Sequence, residues 1–403
     1  MNFRNLLLFA IVWLLVSCGS DANDENHIFI PHNIVIAHRG STYYTPEETE
    51  AAYRWARNIG SDYLEVDIQR SKDGVLLALH DVLLTRTTDV KLKYPNRKEL
   101  PTSEFNFDEL MQLDAGSWFN KMYPDRYSAD YEINAPLYKS QQKAVYFTDN
   151  SGELEYAHHK GEVYYGGRQE VLCLEDVVRI AEGYRIAKDS LGNRLYEKRQ
   201  EDGIVKYLFY YIKDTDDTGD RPGIYIETKI PELFPNIETD LFNELNRLAW
   251  NIVTRPTSDT LIYDKGKVRI AATSAKIILQ TFSQKSLENL NKAFEGKVPM
   301  CFLLWLGDPN MLDNDSATYH KNLKFAKENG AQIIGPSIGG GANNYSDLLT
   351  NENYKWIKSY GFLIHPYTFD SFQQMNDYGL KSDGMFTNRA NLTLSYYRKN
   401  ALR

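Results

Sequence analysis

The chain of 403 residues carries 54 Asp and Glu against 46 Lys and Arg, a formal charge of −8, with no long basic run; such a surface repels a nucleic-acid backbone rather than steering it. With 42% hydrophobic and 25% charged residues, the composition is that of a folded globular protein and excludes wholesale disorder or coiled coil. The length suits two or three average domains, or one large α/β barrel with additions.

The N-terminus reads as an export signal. Arg4 precedes an apolar run over residues 6–16, too short to span a bilayer comfortably, and the run ends in Leu15-Val16-Ser17-Cys18. Leu-Val-Ser-Cys resembles the lipobox of bacterial lipoproteins, which implies cleavage before Cys18 and lipidation of its thiol. An ordinary signal peptide with a chance cysteine is the alternative, and either predicts export. The expected division is therefore a signal peptide at 1–18, a tether at 19–32 and one catalytic domain at 33–403. The stretch Gly19-Ser20-Asp21-Ala22-Asn23-Asp24-Glu25-Asn26 is too polar to pack and suits a tether. The expected location is the bacterial cell envelope, lipid-anchored on a periplasmic or surface face. Cys173 and Cys301 either pair or remain buried thiols.

From residue 33, short apolar runs recur at 34–36, 63–68, 223–227, 276–280, 300–305, 332–334, 362–364 and 385–386. Helix-like stretches lie between them at 48–58, 174–182, 237–251, 284–294, 318–329 and 370–378. Continuous apolar strands alternating with helices imply a parallel sheet covered by helices. Such units close into a TIM-type (β/α)₈ barrel, or spread into an open doubly wound sheet. Two segments rich in Tyr, Lys, Asp and Gly, about 120–169 and 184–221, interrupt the alternation. They predict insertions in the loops after strands 2 and 3, near the barrel mouth.

Chemistry gathers where the apolar runs stop. The first run ends in His38-Arg39-Gly40, and in a barrel the C-terminal strand ends form the active face. The second contains Glu65 and Asp67 two apart, on one face of a strand. Two adjacent buried carboxylates call for a cation, whereas on an exposed edge strand they need none. A third run ends in Glu227 with Lys229 on the same side. Carboxylates alone suit a hard divalent ion such as Ca²⁺ or Mg²⁺ rather than zinc. After Lys72-Asp73-Gly74 turns the chain, residues 75–79 return as a strand that brings His80-Asp81 beside Glu65. His38 and His80 thus supply an acid/base pair of suitable pKa. His27, His32, His158, His159, His320 and His365 are read as structural.

These residues resemble the glycerophosphodiester phosphodiesterases, relatives of the bacterial phosphatidylinositol-specific phospholipases C. The matching pieces are His38-Arg39-Gly40, Pro46-Glu47, Glu65-Val66-Asp67, Asp73-Gly74, His80-Asp81, Leu113-Asp114-Ala115-Gly116, Ile226-Glu227-Thr228-Lys229 and Asp383-Gly384-Met385-Phe386-Thr387. The resemblance spans about residues 33–390. It implies a TIM barrel and a metal held by Glu65, Asp67 and Glu227. It further implies acid/base catalysis by His38 and His80, phosphate neutralisation by Arg39 and Lys229, and a shaping role for Glu47. Two positions depart from the family pattern: Glu48, where Asn or His is frequent, and Asn388, where Asp is frequent. The expected products are glycerol 3-phosphate and an alcohol such as choline or ethanolamine. Direct attack by water and passage through a cyclic phosphate both remain open. The alternatives are action on lysophospholipids or phosphoglycerol polymers, and a non-catalytic surface binding lipoprotein.

Overall fold

The computed structural model describes residues 28–123, 138–139, 144–148, 154–158, 162–163, 168–201, 203–340 and 344–403. Cys18, the expected signal peptide, most of the expected tether and much of the 120–169 segment lie outside the described residues, as do His27 and His159.

Eight parallel strands form the centre: β1 (Ile34–Ala37), β2 (Tyr63–Arg70), β3 (Gly223–Thr228), β4 (Ile277–Thr281), β5 (Met300–Leu304), β6 (Ile333–Pro336), β7 (Leu363–Ile364) and β8 (Gly384–Thr387). β1 pairs with both β2 and β8, and the order then runs β2 to β7 through successive neighbours. The chain beyond β7 meets β8 through Asp383 N to Ile364 O (2.8 Å) and Phe369 N to Phe386 O (2.8 Å), which closes the circle. This is the expected TIM-type barrel.

A helix follows each strand: α1 (Glu50–Ile59), α2 (Leu174–Ala181), α3 (Ile237–Arg247), α4 (Gln284–Ala293), α5 (Ser316–Glu328), α6 (Asn351–Ser359), α7 (Phe372–Tyr378) and α8 (Ala390–Lys399). The period of two divides each strand between two cores. Leu64, Val66 and Ile68 point outward into the layer beneath the helices, with Val177, Leu241, Leu287 and Leu323. Ile36, Tyr63, Tyr225, Ile278 and Ile333 fill the barrel interior. Gly223 opens β3 because a side chain there would meet the Tyr63 ring, 2.6 Å from the position of a Cβ.

Between β2 and α2, the strand Leu76–Ala78 returns antiparallel to β2 and pairs in turn with Leu172–Cys173. It carries His80 back to the mouth, as its sequence implies. Both extra segments lie between β2 and β3, so neither follows strand 3. The first falls in the β2-to-α2 connection, which leaves β2 at its mouth end. The second, about 184–221, follows α2 and therefore leaves from the opposite end, which corrects its expected place at the mouth. Its hairpin Tyr196–Glu201/Ile204–Phe209 packs back along the outer wall, where Tyr207 and Phe209 meet Phe107 edge-on and the Tyr207 hydroxyl donates to Asp73 (2.6 Å). Asp214 anchors the segment to α1 by pairing with Arg54 and Arg57. Cys173 and Cys301 are buried free thiols, on separate strands.

Candidate active site

The barrel register brings the polar residues together at the C-terminal strand ends. Asp67 faces Glu227 across β2 and β3, and Glu227 faces Gln280 across β3 and β4. Glu65, Asp67 and Glu227 are 1%, 1% and 5% exposed, so the acidic pair of β2 belongs to the interior and not to a solvated edge. One carboxylate oxygen from each lies within 4.8 Å of the others.

Fixed partners hold the outer two. Glu65 accepts from the Arg39 backbone N–H (2.7 Å) and from Gln280 Nε2 (2.9 Å), while Lys229 Nζ donates to Glu227 (2.8 Å). Asp67 lies 3.1 Å from Arg39 Nε and 3.6 Å from Lys229 Nζ, yet neither of its buried oxygens has an aligned donor. A buried carboxylate with both oxygens unsatisfied is costly. Burial first, then Asp67 and Glu227, push Glu65 far above the usual carboxylate range. Burial likewise lifts Glu227 to about 7 against the pull of Lys229. Asp67 is held low, because Lys229, His80 and Arg39 together outweigh its burial. Three converging carboxylates, one of them without a hydrogen-bond donor, fit a hard divalent cation by donor chemistry and by charge.

The histidines flank this cluster. His38 and Arg39 sit in a short 3₁₀ turn after β1, with Arg39 at a left-handed φ of 49°. His38 Nδ1 is 2.7 Å from Asn388 Oδ1, which also accepts from Thr42, while Asn388 Nδ2 donates to Asp370 (2.9 Å). That network makes Asn388 Oδ1 the acceptor and His38 Nδ1 the donor, leaving Nε2 with its lone pair. Burial and then Arg39 drive the His38 pKa down to about 3. His80 Nδ1 is 2.6 Å from Asp81 Oδ1, and burial followed by Arg39 lowers its pKa as well.

Glu47 stands behind the site rather than in it. It receives Arg39 at 3.3 Å and a two-pronged Arg86, whose Nε also binds Asp81. A chain of charges thus runs from Arg39 through Glu47, Arg86 and Asp81 to His80. Arg86 and Gln280 are neighbours of the site that sequence reasoning assigned no part; Asp81 and Asn388 were noted in the sequence, but not as the partners of His80 and His38. Glu48 is buried against the metal-side acids, accepting from the Asp67 backbone N–H (3.0 Å) and from the Tyr53 hydroxyl. Burial and then Asp67 raise its pKa well above normal.

A cavity of about 520 Å³ opens onto this cluster, lined by His38, Arg39, Glu65, His80, Glu227 and Lys229. Its remaining wall is largely apolar and comes from the loops after β3 to β7 and from β8 itself, with Ile230, Phe282, Trp305, Tyr345, Tyr367 and Phe386. The histidines and basic groups of the lining therefore occupy the arc from β1 to β3, and the aromatic groups, together with Asp308, the arc from β4 to β8. His365, expected to be structural, is fully buried below the site beside the Tyr225 hydroxyl (3.0 Å). His32 Nδ1 lies 3.2 Å from Asp383 Oδ1, and His320 Nδ1 lies 3.2 Å from the Tyr360 hydroxyl.

Comparison with known proteins gives the same picture. A family model described as the glycerophosphoryl diester phosphodiesterase family matches residues 38–241. The chain is 24% identical over 394 residues to a glycerophosphodiester phosphodiesterase of Bacillus subtilis, covering 96% of this chain and 94% of that protein. It is 32% identical over 169 residues to one of Haemophilus influenzae, covering 39% of this chain and 43% of the other. An Oleispira antarctica phosphodiesterase, solved in complex with sn-glycerol-3-phosphate, shares the fold with a TM-score of 0.51 at 15% identity, over 91% of this chain and 96% of that one. The barrel and its mouth define a TIM-type hydrolase of phosphoric diesters. The chain belongs to the glycerophosphoryl diester phosphodiesterase family.

Proposed function

We propose that this chain hydrolyses glycerophosphodiesters to glycerol 3-phosphate and a free alcohol, with one Ca²⁺ or Mg²⁺ ion and the His38/His80 pair. The observation that carries the reading is the convergence, in one cavity, of two histidines and two basic groups on three buried carboxylates. Glu65, Asp67 and Glu227 would hold the ion. When bound, such an ion polarises a phosphoryl oxygen and offsets phosphate charge. Arg39 and Lys229 neutralise the remaining phosphate oxygens, so that charge developing in the transition state meets fixed positive partners.

The two histidines have different partners, and the difference supports different roles. His38 leans on a neutral amide and keeps a free Nε2, which suits the general base that removes a proton from the nucleophile. His80 leans on the Asp81 carboxylate, which stabilises an imidazolium, and so suits the general acid that protonates the departing alcohol oxygen. Glu47 and Arg86 hold Arg39 and Asp81 in place and do not meet substrate.

Release of glycerol 3-phosphate from glycerophosphocholine, followed with Ca²⁺, Mg²⁺ or EDTA, tests the reaction and the ion together. We expect release with an ion and none in EDTA. His38→Ala and His80→Ala should each lose about 10²- to 10⁴-fold in kcat; near-normal turnover in both would sink the mechanism. If the folded protein binds phosphodiesters but cleaves none with any ion, a binding role replaces catalysis.

Export and anchoring through Cys18 belong to the same proposal, supported by the apolar run and the Leu-Val-Ser-Cys that ends it. No described helix is long and apolar enough to cross a membrane. Metabolic labelling with a radioactive fatty acid should mark the wild-type chain in a bacterial host and not Cys18→Ser. Equal labelling of both would exclude Cys18 as the attachment point.

A further inference from the structure

His80 reaches the site on a short strand, and the end of that strand is pinned by a side chain of β2, the strand that carries Glu65 and Asp67. Residues Leu76–Ala78 pair with β2 from Arg70↔Leu76 to Ile68↔Ala78, and the ladder closes where Leu79 N donates to Asp67 O (2.9 Å). The Leu79 and His80 carbonyls lie past that last rung. Gln69 supplies a donor to both: its Nε2 reaches Leu79 O and His80 O, each at 2.9 Å. The period of two sets Gln69 on the same face of β2 as Glu65 and Asp67, and it is 0% exposed. Its amide cannot turn over without loss, because two carbonyls face Nε2 while the buried Thr102 hydroxyl donates to Oε1 (2.8 Å).

Satisfying two buried carbonyls is by itself a structural duty. The place of this amide adds a second one. It grips the backbone of His80 itself, from a position two residues beyond Asp67 on the same strand. The His80 ring is held in turn by Asp81 (2.6 Å). Two holds on one residue, one on its backbone and one on its ring, fix the imidazole relative to the acids of β2.

We propose that Gln69, oriented by Thr102, is a positioning residue for His80, setting the distance between the imidazole and a phosphate bound beside the acids. This rests on the reading of His80 as the general acid. As the P–O bond to the alcohol breaks, a proton passes from His80 to the departing oxygen. A misplacement of about 1 Å at such a step can cost about 10²-fold in rate.

The test exploits leaving groups. Choline leaves poorly without a proton, whereas p-nitrophenol leaves as the phenolate and needs none. The full-length chain with its metal ion is assayed on glycerophosphocholine and on the p-nitrophenyl diester of glycerol phosphate, with His80→Ala as the reference for a lost acid. Gln69→Met should lose about 10²-fold in kcat on glycerophosphocholine at nearly unchanged KM, while the nitrophenyl diester stays within about threefold of wild type. Thr102→Val, which keeps the amide and removes only the hydroxyl that orients it, should show a smaller loss with the same split. Should Gln69→Met fail to fold, Thr102→Val decides alone. If His80→Ala shows the split but the Gln69 and Thr102 variants lose equally on both substrates, or lose nothing, the positioning role is overturned and the acid role of His80 stands. If His80→Ala itself loses equally on both, the acid role falls and the inference falls with it.

Discussion

Asn388 is the residue on which the character of the general base turns. It offers His38 a carbonyl rather than a carboxylate, and burial with Arg39 nearby already holds the His38 pKa down at about 3. In the proposed mechanism neutral His38 is the working form, so activity should show no acid limb from this group near neutrality. Asn388→Asp places a negative charge on Nδ1–H, which favours imidazolium and raises the pKa. The acid limb of kcat/KM should therefore move to higher pH, by about one to three pH units. Asp370, which Asn388 Nδ2 now meets, would face the new carboxylate and hold the shift toward the lower end. A pH profile identical to wild type would remove His38 from the base role. The contact also marks a limit of sequence reading. His38, His80, Glu227 and Lys229 were legible because each stands where an apolar run ends, and Glu65 and Asp67 because they stand two apart within one. The Asn388 partnership spans 350 positions of chain and leaves no local trace.

At the scale of elements, the turn that follows β1 shows how tightly the scaffold aims the site. Gly40 has a φ of 84°, and a Cβ there would sit 2.6 Å from that of Ala52 on α1. The turn that carries His38 and Arg39 can lie flat on α1 only because that side chain is absent. Gly40→Ala combines a left-handed strain with a clash against a helix and should cost on the order of 2 kcal/mol or more, read as a lower urea midpoint. A midpoint within error of wild type would mean that α1 yields easily. The eight barrel strands were readable as continuous apolar runs, since both their faces are buried. The α6 and α8 helices were not. In α8, Asn391-Leu392-Thr393-Leu394 alternates as a strand would, and all four residues are buried, so its helical period is hidden. Helix α3 was expected to reach residue 251 but ends at Arg247, because Ala249 turns left-handed with a φ of 64°.

For the whole molecule, the three converging acids couple the proposed ion to stability. An ion bound by the folded chain and not by the unfolded one stabilises by about 2.7 kcal/mol at a hundred times its dissociation constant. Thermal unfolding should therefore move upward with Mg²⁺ or Ca²⁺ relative to EDTA, and Asp67→Asn should lose most of that shift. An equal shift in the variant would place the ion elsewhere. The molecule's ground plan, with histidines and basic groups on the β1 to β3 arc and aromatic wall on the arc from β4 to β8, carries an evolutionary corollary. Inheritance can act on the two arcs separately. Loops of the second arc are free to drift, lengthen or trade side chains, altering which molecule is chosen while the scissile machinery passes unaltered between generations. Divergence among descendants of such a barrel should accumulate as changes of diet rather than of reaction.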